Sequence, residues 1–451
     1  MTPAEQVRLR WGVPGRTKAS VAHLPGDRRV VLVDVDATHH GGSLGEQDSI
    51  TIAAGGRLAL DQRLPLVIGL ASSGAEVREG VASLHGWGKA AQSIATCSGT
   101  VPVVVLTSGP AVSGHALLLG MADVVIMTTD AVAYVSGPAA VAELTGLRVG
   151  PGDLGGHAVH ARSTGVAAMV ATNPEEALVR CAELLEYLPD HTDEIPPHVE
   201  SDDPPDRLTP ELNELLPASD SGSYDVRSVI RSVADDGELL ELRPGWAPQL
   251  VTGLVHVGGR SIGVVANQPQ SMAGTLDIAA SQKGARFVSF CDSFNIALLT
   301  LVDTPGFMPG KDLEWRGMIR HGAQLVYAYA EATVPRVCLV LRKAFGGAYI
   351  VMDSKGIGND ICLAWPSAQV AVMGAQGAVQ ILHRRAEVES QARLVQEYGV
   401  AFLNPYVAAA RGYIDQVIQP AATRQVVAAA MDVLESKRER LVARKHGNGP
   451  L

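Results

Sequence analysis

Short apolar runs alternate with amphipathic stretches along most of this 451-residue chain. Runs rich in β-forming residues predict buried strands at 29–35, 64–70, 103–107, 124–128, 131–135 and 337–341. Helical periodicity between them predicts helices at 47–62 and 79–97. Because strands that alternate with helices usually pair in parallel through crossovers, the pattern predicts an α/β fold.

The pattern is interrupted within residues 189–223. Seven of the 26 prolines fall there, among Asp, Glu and Ser residues. Helices and central strands tolerate little proline, so we predict a linker that runs over the surface. The chain then divides into an N-terminal arm at 1–28, a first domain at 29–188, the linker at 189–223 and a second domain at 224–451.

Composition and charge exclude several classes of protein. The formal net charge is −10, and no dense basic block precedes the C-terminal tail, which argues against nucleic-acid binding. No apolar run approaches the ~18 residues of a membrane span, and the N-terminus lacks the apolar core of a signal peptide. The five cysteines are widely spaced inside apolar runs, which predicts buried free thiols and no metal site. We therefore expect a cytoplasmic protein.

The two halves of the chain repeat one another. Pro102 lies twelve residues before Gly114, and Pro335 lies twelve residues before Gly347. Matching positions keep an offset of 232–233 residues, which becomes 237 after an apparent insertion at 356–359. Chance matches would not keep one offset over so long a span, so the sequence indicates a duplication.

Each copy has a loop of small residues after a predicted strand, Ser113-Gly114 in the first and Gly346-Gly347-Ala348 in the second. A strand-to-helix turn of this kind leaves backbone N–H groups unpaired, which suits an anion or a developing oxyanion. The alternative is a plain tight turn with no ligand. The repetition favours a pair of anion sites.

The stretches around these loops carry a family resemblance. In the second half they are residues 263–310, 328–335, 342–349, 364–385 and 445–451, and in the first half 41–46, 73–81, 108–110 and 164–171. Together they resemble the carboxyltransferase (β) subunits of biotin-dependent acyl-CoA carboxylases, especially those of propionyl-CoA carboxylase. The resemblance extends from about residue 28 to the end.

The resemblance implies an architecture and a set of partners. The fold would be α/β, with two crotonase-like (ββα superhelix) domains in tandem. The chain would form a hexamer, a trimer of dimers, with each active site between the N-terminal domain of one subunit and the C-terminal domain of its dimer partner. Biotin would be carried on a separate subunit together with biotin carboxylase, and the other substrate would be an acyl-CoA.

The resemblance also assigns the two loops. Gly347 and Ala348 would face the biotin carbonyl, and Ser113 and Gly114 the thioester carbonyl, as the catalytic groups. No protein base is needed if biotin itself takes the α-proton. Further substrate-binding positions are expected at Ser73, Gly74, Ala75, His115, Ser136, Gly137, Gly306, Phe307, Gly346, Tyr349 and Ile350.

The first loop departs from the family pattern. The family has Gly-Gly where this chain has Ser113-Gly114, so a Cβ narrows the approach while the backbone N–H remains. His115 replaces a small residue. It either donates a hydrogen bond to the substrate or packs at the start of a helix.

Other departures lie near the expected acyl-CoA side. Ala71 and Glu76 stand where the family has an acidic and a basic residue. Ile350 stands where propionyl-type enzymes have an Asp that helps to set acyl-chain preference. Ile350 either admits a longer or differently shaped acyl group or has a packing role only.

These observations predict a carboxyltransferase subunit that moves CO2 from carboxybiotin to the α-carbon of a short- or medium-chain acyl-CoA. One alternative is a biotin-independent decarboxylase of a malonyl or methylmalonyl thioester, because the same oxyanion hole stabilises that enolate. Another is a non-catalytic assembly subunit of a carboxylase complex.

Overall fold

The computed structural model describes residues 17–35, 37–38, 40–219, 222–385, 387–437 and 439–450. The chain divides into two compact units. The first consists of Met1–Pro197 with Arg243–Trp246, and the second of His198–Leu242 with Ala247–Leu451. Each unit contains one mainly parallel β-sheet.

The first unit is a seven-stranded sheet with helices between its strands. Its strands are β1 (Thr17–His23), β2 (Arg29–Val35), β3 (Leu66–Ser72), β4 (Val103–Val112), β5 (Val124–Thr128), β6 (Val132–Tyr134) and β7 (Met169–Ala171). Its helices are α1 (Glu46–Gln62), α2 (Val81–Cys97), α3 (Leu117–Met121), α4 (Pro138–Thr145), α5 (Pro151–Gly155), α6 (His157–Val159) and α7 (Pro174–Glu186). The strand order is β1-β2-β3-β4-β5-β7, and β6 pairs with the end of β4.

The second unit is an eight-stranded sheet of the same design. Its strands are β8 (Leu240–Leu242), β9 (Leu250–Val257), β10 (Arg260–Asn267), β11 (Ala297–Thr304), β12 (Arg336–Phe345), β13 (Ile361–Ala364), β14 (Gln369–Ala371) and β15 (Gln416–Val417). Its helices are α8 (Arg227–Val233), α9 (Ile278–Ser293), α10 (Lys311–Trp315), α11 (Met318–Glu331), α12 (Gly346–Val351), α13 (Ala375–Leu382), α14 (Val388–Phe402), α15 (Pro405–Ala409) and α16 (Thr423–Leu434). The strand order is β15-β13-β12-β11-β10-β9-β8, and β14 pairs with β12.

The duplication is visible in the details of the two units. Each sheet begins with antiparallel pairing, which parallel strands follow. The antiparallel pairs are β1 with β2 in the first unit, and β8 with β9 and β9 with β10 in the second. The carboxylate of Asp123 accepts the N–H of Val103 at 2.9 Å, and that of Asp360 accepts the N–H of Arg336 at 2.8 Å. These are the positions that the repeat matches in the sequence. The predicted duplication is therefore confirmed.

Parallel strands explain why the sequence pattern consists of continuous apolar runs. Strands covered by helices on both faces are buried on both faces, so they do not alternate between apolar and polar residues. All five residues of β5 are buried, and β12 is buried from Arg336 to Arg342. The predicted strands at 29–35 and 124–128 coincide with β2 and β5.

The described part of the chain bears on two further expectations. All five cysteines are free and buried, as predicted. Among the residues with described positions, no helix is both long and apolar enough to cross a membrane.

The observed units differ from the predicted segments at the N-terminus. Residues 1–16 of the predicted arm lie outside the described residues, but Thr17–His23 form β1. All seven of its residues pair with β2, and the N–H of Thr17 donates to the carboxylate of Asp48 at 3.0 Å. The polar residues of this segment are those of an edge strand, which is half exposed.

The predicted linker is also shorter than expected. From His198 onward it belongs to the second unit, where Thr209 and Leu212 are buried. The N–H of Thr209 donates to the carbonyl of Ala421 at 2.7 Å. Prolines exclude this segment from the sheet, but they permit the 3-10 turn at Pro210–Glu214, which packs on the core.

Two smaller differences concern the end of β4 and the segment Arg243–Trp246. The segment 108–112, predicted as loop, extends β4 because residues 110–112 pair with β6. Arg243–Trp246, predicted inside the second domain, belongs to the first unit. There the N–H of Arg243 donates to the carbonyl of Ala168 at 2.9 Å.

Replacing Gly42 with alanine should destabilise the first unit more than replacing Gly26. Both glycines have left-handed backbone, with φ of 72° and 79°, so each change costs about 1–2 kcal/mol of strain. A Cβ at Gly42 would lie 2.1 Å from the carbonyl oxygen of Ala71, whereas nothing lies within 4 Å at Gly26. We expect this clash to remove about 1–3 kcal/mol more. Equal free energies of unfolding for Gly42→Ala and Gly26→Ala in urea denaturation would contradict this account.

Candidate active site

The first glycine loop begins where β4 ends. Val112 has extended backbone, and Ser113 turns the chain with φ of 63°. A 3-10 turn at Ser113–Ala116 then leads into α3. Left-handed backbone is uncommon for a residue with a Cβ, so the turn is strained. The N–H groups that open such a helical segment have no acceptor within it, and they remain available to a ligand.

The second loop has the same geometry at the end of β12. Gly346 turns the chain with φ of 62°, and α12 begins there. Gly347 is exposed, whereas Ala348 is buried. Here a glycine occupies the left-handed position, so the turn forms without strain.

The matching φ angles align the loops residue by residue. Ser113 corresponds to Gly346, Gly114 to Gly347, and His115 to Ala348. The predicted catalytic pair Ser113-Gly114 is thus displaced by one residue from Gly347-Ala348. The backbone groups that match the N–H groups of Gly347 and Ala348 are those of Gly114 and His115.

The side chain of His115 is buried, with 1% of its surface exposed. Burial lowers its pKa to about 4, against a smaller opposing effect of Asp48, so the imidazole is neutral near pH 7. Neither ring nitrogen has a hydrogen-bond partner among the described residues. This position agrees with packing at the start of a helix and does not support a hydrogen bond from the side chain to the substrate.

Gly74 packs against the turn of the first loop. A Cβ at Gly74 would lie 3.1 Å from the Cβ of Ser113. Ser73 and Ala75 flank Gly74, and Ala75 forms a parallel bridge with Leu44, whose N–H donates to the carbonyl of Gly74 at 2.8 Å. The structure thus brings these three residues to the first loop. Their role in binding stays a prediction.

Ser136 and Gly137 also lie beside the first loop. β6 pairs in parallel with β4, with Tyr134 opposite Val112. Three residues beyond Tyr134, Gly137 caps the N-terminus of α4 with extended backbone. Both predicted residues therefore follow the strand that runs alongside the loop.

Trp87 is a neighbour of the first loop that the sequence did not indicate. A Cβ at Gly114 would lie 3.5 Å from the ring of Trp87, which stands on α2. The indole Nε1 is buried and has no hydrogen-bond partner among the described residues. A single tryptophan in an amphipathic helix carries no positional signal, so only the packing of α2 reveals it.

The departures at Glu76 and Ala71 change the charges near the first loop. The guanidinium of Arg78 donates two hydrogen bonds to the carboxylate of Glu76, each at 2.8 Å. The hydroxyl of Ser43 donates a third at 2.7 Å. The hydrogen bonds from Arg78 and Ser43 hold the pKa of Glu76 well below its usual range. In the second unit, Asp303 occupies the position that matches Ala71. It pairs with Arg342 at 3.1 Å, an interaction that Ala71 cannot make.

Four predicted residues surround the second loop. Gly306 has φ of 143° with open space at its Cβ position, and the ring of Phe307 lies 3.7 Å from a Cβ at Gly347. Burial raises the pKa of Tyr349, so its phenol stays neutral. Ile350 is 41% exposed on α12. The loop therefore has an apolar wall at Phe307 and an exposed apolar side chain at Ile350.

The described residues contain no group of three or more His, Cys, Asp or Glu side chains that could hold a metal ion. The candidate site offers backbone N–H groups and apolar walls to a ligand.

Comparison with known proteins agrees with this geometry. Residues 26–449 match the carboxyl transferase domain family. The propionyl-CoA carboxylase beta chain of Saccharopolyspora erythraea is 45% identical over 443 residues, covering 94% of this chain and 81% of the relative. The methylmalonyl-CoA carboxyltransferase 12S subunit of Propionibacterium freudenreichii is 42% identical, covering 94% and 82%.

A crystal structure of transcarboxylase 12S, described as a hexamer with hydrolysed methylmalonyl-CoA bound, superimposes with a TM-score of 0.93. It is 41% identical, and the match covers 96% of this chain and 84% of that one. The predicted resemblance and the tandem crotonase-like α/β fold are confirmed. The chain belongs to the carboxyl transferase family.

Proposed function

We propose that the chain is the carboxyltransferase subunit of a biotin-dependent acyl-CoA carboxylase. It moves CO2 from carboxybiotin to the α-carbon of a short- or medium-chain acyl-CoA. The observation that carries the proposal is the pair of equivalent loops, each turned by a left-handed residue, Ser113 or Gly346, at the end of a buried strand. The reaction develops negative charge at two oxygens, one on each substrate, and two backbone anion sites meet that need.

The first loop takes the thioester carbonyl in this proposal. The backbone N–H groups of Gly114 and His115 donate to the oxygen as the enolate forms, and Ser113 holds the turn. Backbone donors are fixed before the reaction begins, so they need no reorganisation. Losing one such donor costs about 2.7–4 kcal/mol of barrier.

The second loop takes the ureido carbonyl of biotin. The residues present fit that group, because Gly347 is exposed and lacks a side chain that would block the N–H groups of Gly347 and Ala348. Carboxybiotin held by these N–H groups would supply the CO2, and the decarboxylated biotin would accept the α-proton. The ring of Phe307 forms an apolar wall beside this loop, 3.7 Å from where a Cβ at Gly347 would lie.

The partners follow from the same proposal. A separate subunit bears biotin and biotin carboxylase, and this chain forms a homo-oligomer, in line with the hexameric transcarboxylase. The family match supports carboxyl transfer over the two alternatives, a biotin-independent decarboxylase and an assembly subunit. CO2 release from methylmalonyl-CoA by the purified chain alone would favour the decarboxylase. Carboxylation of an acyl-CoA that requires a biotin-bearing partner supports the proposal.

Gly347→Val should strongly impair biotin-dependent carboxylation while the fold persists. A Cβ at this position would make only an ordinary contact with Phe307, at 3.7 Å, so the core is not disturbed. The branched side chain would cover the N–H groups, and loss of one donor predicts a fall in kcat of about 10²–10³-fold. Gly399→Val is the control, since Gly399 lies in α14 with nothing within 4 Å of its Cβ position. Unchanged carboxylation by Gly347→Val would remove this loop from the mechanism.

Ser113→Gly should raise the free energy of unfolding and lower KM for the acyl-CoA. It removes the Cβ from a left-handed residue, which should raise the free energy of unfolding by about 0.5–1 kcal/mol. It also widens the approach to the N–H groups, so KM for the acyl-CoA should fall. The reverse change, Gly346→Ser, should raise KM for the biotin-bearing partner only. If neither KM value moves, the two loops do not receive the two substrates.

Ile350→Asp should shift acyl preference toward propionyl-CoA. An apolar side chain favours a longer acyl group, and one methylene is worth about 1–3 kcal/mol of discrimination. We therefore expect the ratio of kcat/KM for butyryl-CoA over propionyl-CoA to fall about tenfold or more. Ile195→Asp, at a position 71% exposed in the first unit, is the control. An unaltered profile of acyl chain lengths would assign Ile350 to packing alone.

A further inference from the structure

A buried ion pair joins the start of β12 to the end of α12. Nη1 of Arg336 donates to Oδ1 of Asp353 at 2.7 Å, and the two side chains are 3% and 0% exposed. Nη2 of the same guanidinium donates to the carbonyl of Gly358. Arg336 is the first residue of β12, and Asp353 is the second residue after α12. The pair therefore brackets the segment that carries Gly347 and Ala348.

Several features of this arrangement lower the stability of the folded state. Asp353 has left-handed backbone, with φ of 58°, which strains a residue that has a side chain. Nε of Arg336 is buried and has no hydrogen-bond partner among the described residues. Unsatisfied buried polar groups lower stability, and buried ion pairs are often no more stable than apolar replacements. The ion pair is therefore weak evidence for a contribution to stability.

The corresponding segment of the first unit lacks this ion pair. At the offset of 233 residues, Val103 stands in place of Arg336 and Gly120 in place of Asp353. Val103 is buried at the start of β4, as Arg336 is at the start of β12. The carbonyl of Gly358, which accepts from Arg336, and the side chain of Asn359, which acts on Asp353, both belong to residues 356–359. These four residues are the insertion that the first copy lacks. The strand-turn-helix fold therefore does not require the pair.

We propose that Arg336 and Asp353 are positioning residues for the second anion site, holding α12 so that the N–H groups of Gly347 and Ala348 keep their direction. The inference rests on the proposed function, since it concerns the same loop. Neither side chain touches a substrate. The hydrogen bonds from the N–H groups of Met352 to Ala348 and of Ser354 to Ile350, at 3.1 and 3.4 Å, connect Asp353 to the helix on both sides.

The ion pair depends on pH through Asp353. Burial raises the pKa of this carboxyl to about 6, with Arg336 and Asn359 acting in the opposite direction and Asp360 adding to the rise. The groups that face it are Arg336 and Cys338 from β12, Tyr329 from α11, and Asn359 and Asp360 after the turn. As the pH falls through about 6 the carboxylate takes a proton and the ion pair is lost. We therefore expect kcat to fall over that range.

As the pH falls, the contribution of Asp353 to the free energy of unfolding should rise while kcat falls. The folded-state pKa of Asp353 lies above the ordinary value of 3.8, so the folded protein binds the proton more readily than the unfolded chain. The contribution of this group to stability therefore increases as the pH falls from about 6 toward 4. A loss of kcat without a loss of stability separates positioning from a merely structural role.

The test compares three full-length variants with the unaltered chain. Asp353→Asn removes the charge, and the double variant Arg336→Val with Asp353→Gly copies the first unit. The double variant should fold with stability equal to or above that of the unaltered chain. We expect its kcat for biotin-dependent carboxylation to fall about 10- to 100-fold, because small misplacements of catalytic groups have effects of that size. KM for the acyl-CoA should stay the same, and the fall in kcat near pH 6 should disappear. Arg227→Met is the control, since Arg227 pairs with Glu241 on β8, four strands from β12.

Amide hydrogen exchange separates this inference from the proposed function. The amides of Met352 and Ser354 should exchange faster in the double variant at constant pH, while those of α16 stay unchanged. This result is expected even if the chain proves to lack carboxyltransferase activity. Unchanged exchange at both amides, or a double variant that keeps the kcat and the pH profile of the unaltered chain, would overturn the positioning role.

Discussion

The structure depends on one local constraint, a left-handed residue between a buried parallel strand and the start of a helix. This residue turns the backbone so that the next N–H groups have no acceptor within the helix. Ser113 and Gly346 are the left-handed residues of the two units, with φ of 63° and 62°. Each sheet fixes its loop at the strand end, through the pairing of β6 with β4 and of β14 with β12. The proposed chemistry uses only these backbone groups.

Much of this arrangement could be predicted from the sequence, because parallel strands buried on both faces leave continuous apolar runs. β2 and β5 have the predicted bounds, and the constant offset between the halves identifies the duplication. The register of the first loop could not be predicted, since only the backbone angle shows that Ser113 is the turn residue. Likewise β1 has the polar composition of an exposed segment because it is an edge strand.

Buried polar groups were the other feature that sequence patterns did not indicate. Arg336 opens a strand whose next five residues are apolar, and Asp353 follows a helix by two positions, so neither stands in a motif. Their proximity arises only when β12 and α12 pack together. The same holds for Trp87, which meets Gly114 through the packing of α2. The two copies differ in buried polar groups, since the second has Arg336 and Asp353 where the first has Val103 and Gly120.

In the proposed reaction, the first loop binds the thioester oxygen of an acyl-CoA. A crystal structure of the full chain with a non-hydrolysable propionyl-CoA analogue tests it most directly. We expect the carbonyl oxygen to lie about 2.7–3.1 Å from the backbone nitrogens of Gly114 and His115, with Ser113 still left-handed. An analogue bound with its carbonyl oxygen turned away from both nitrogens would contradict the account.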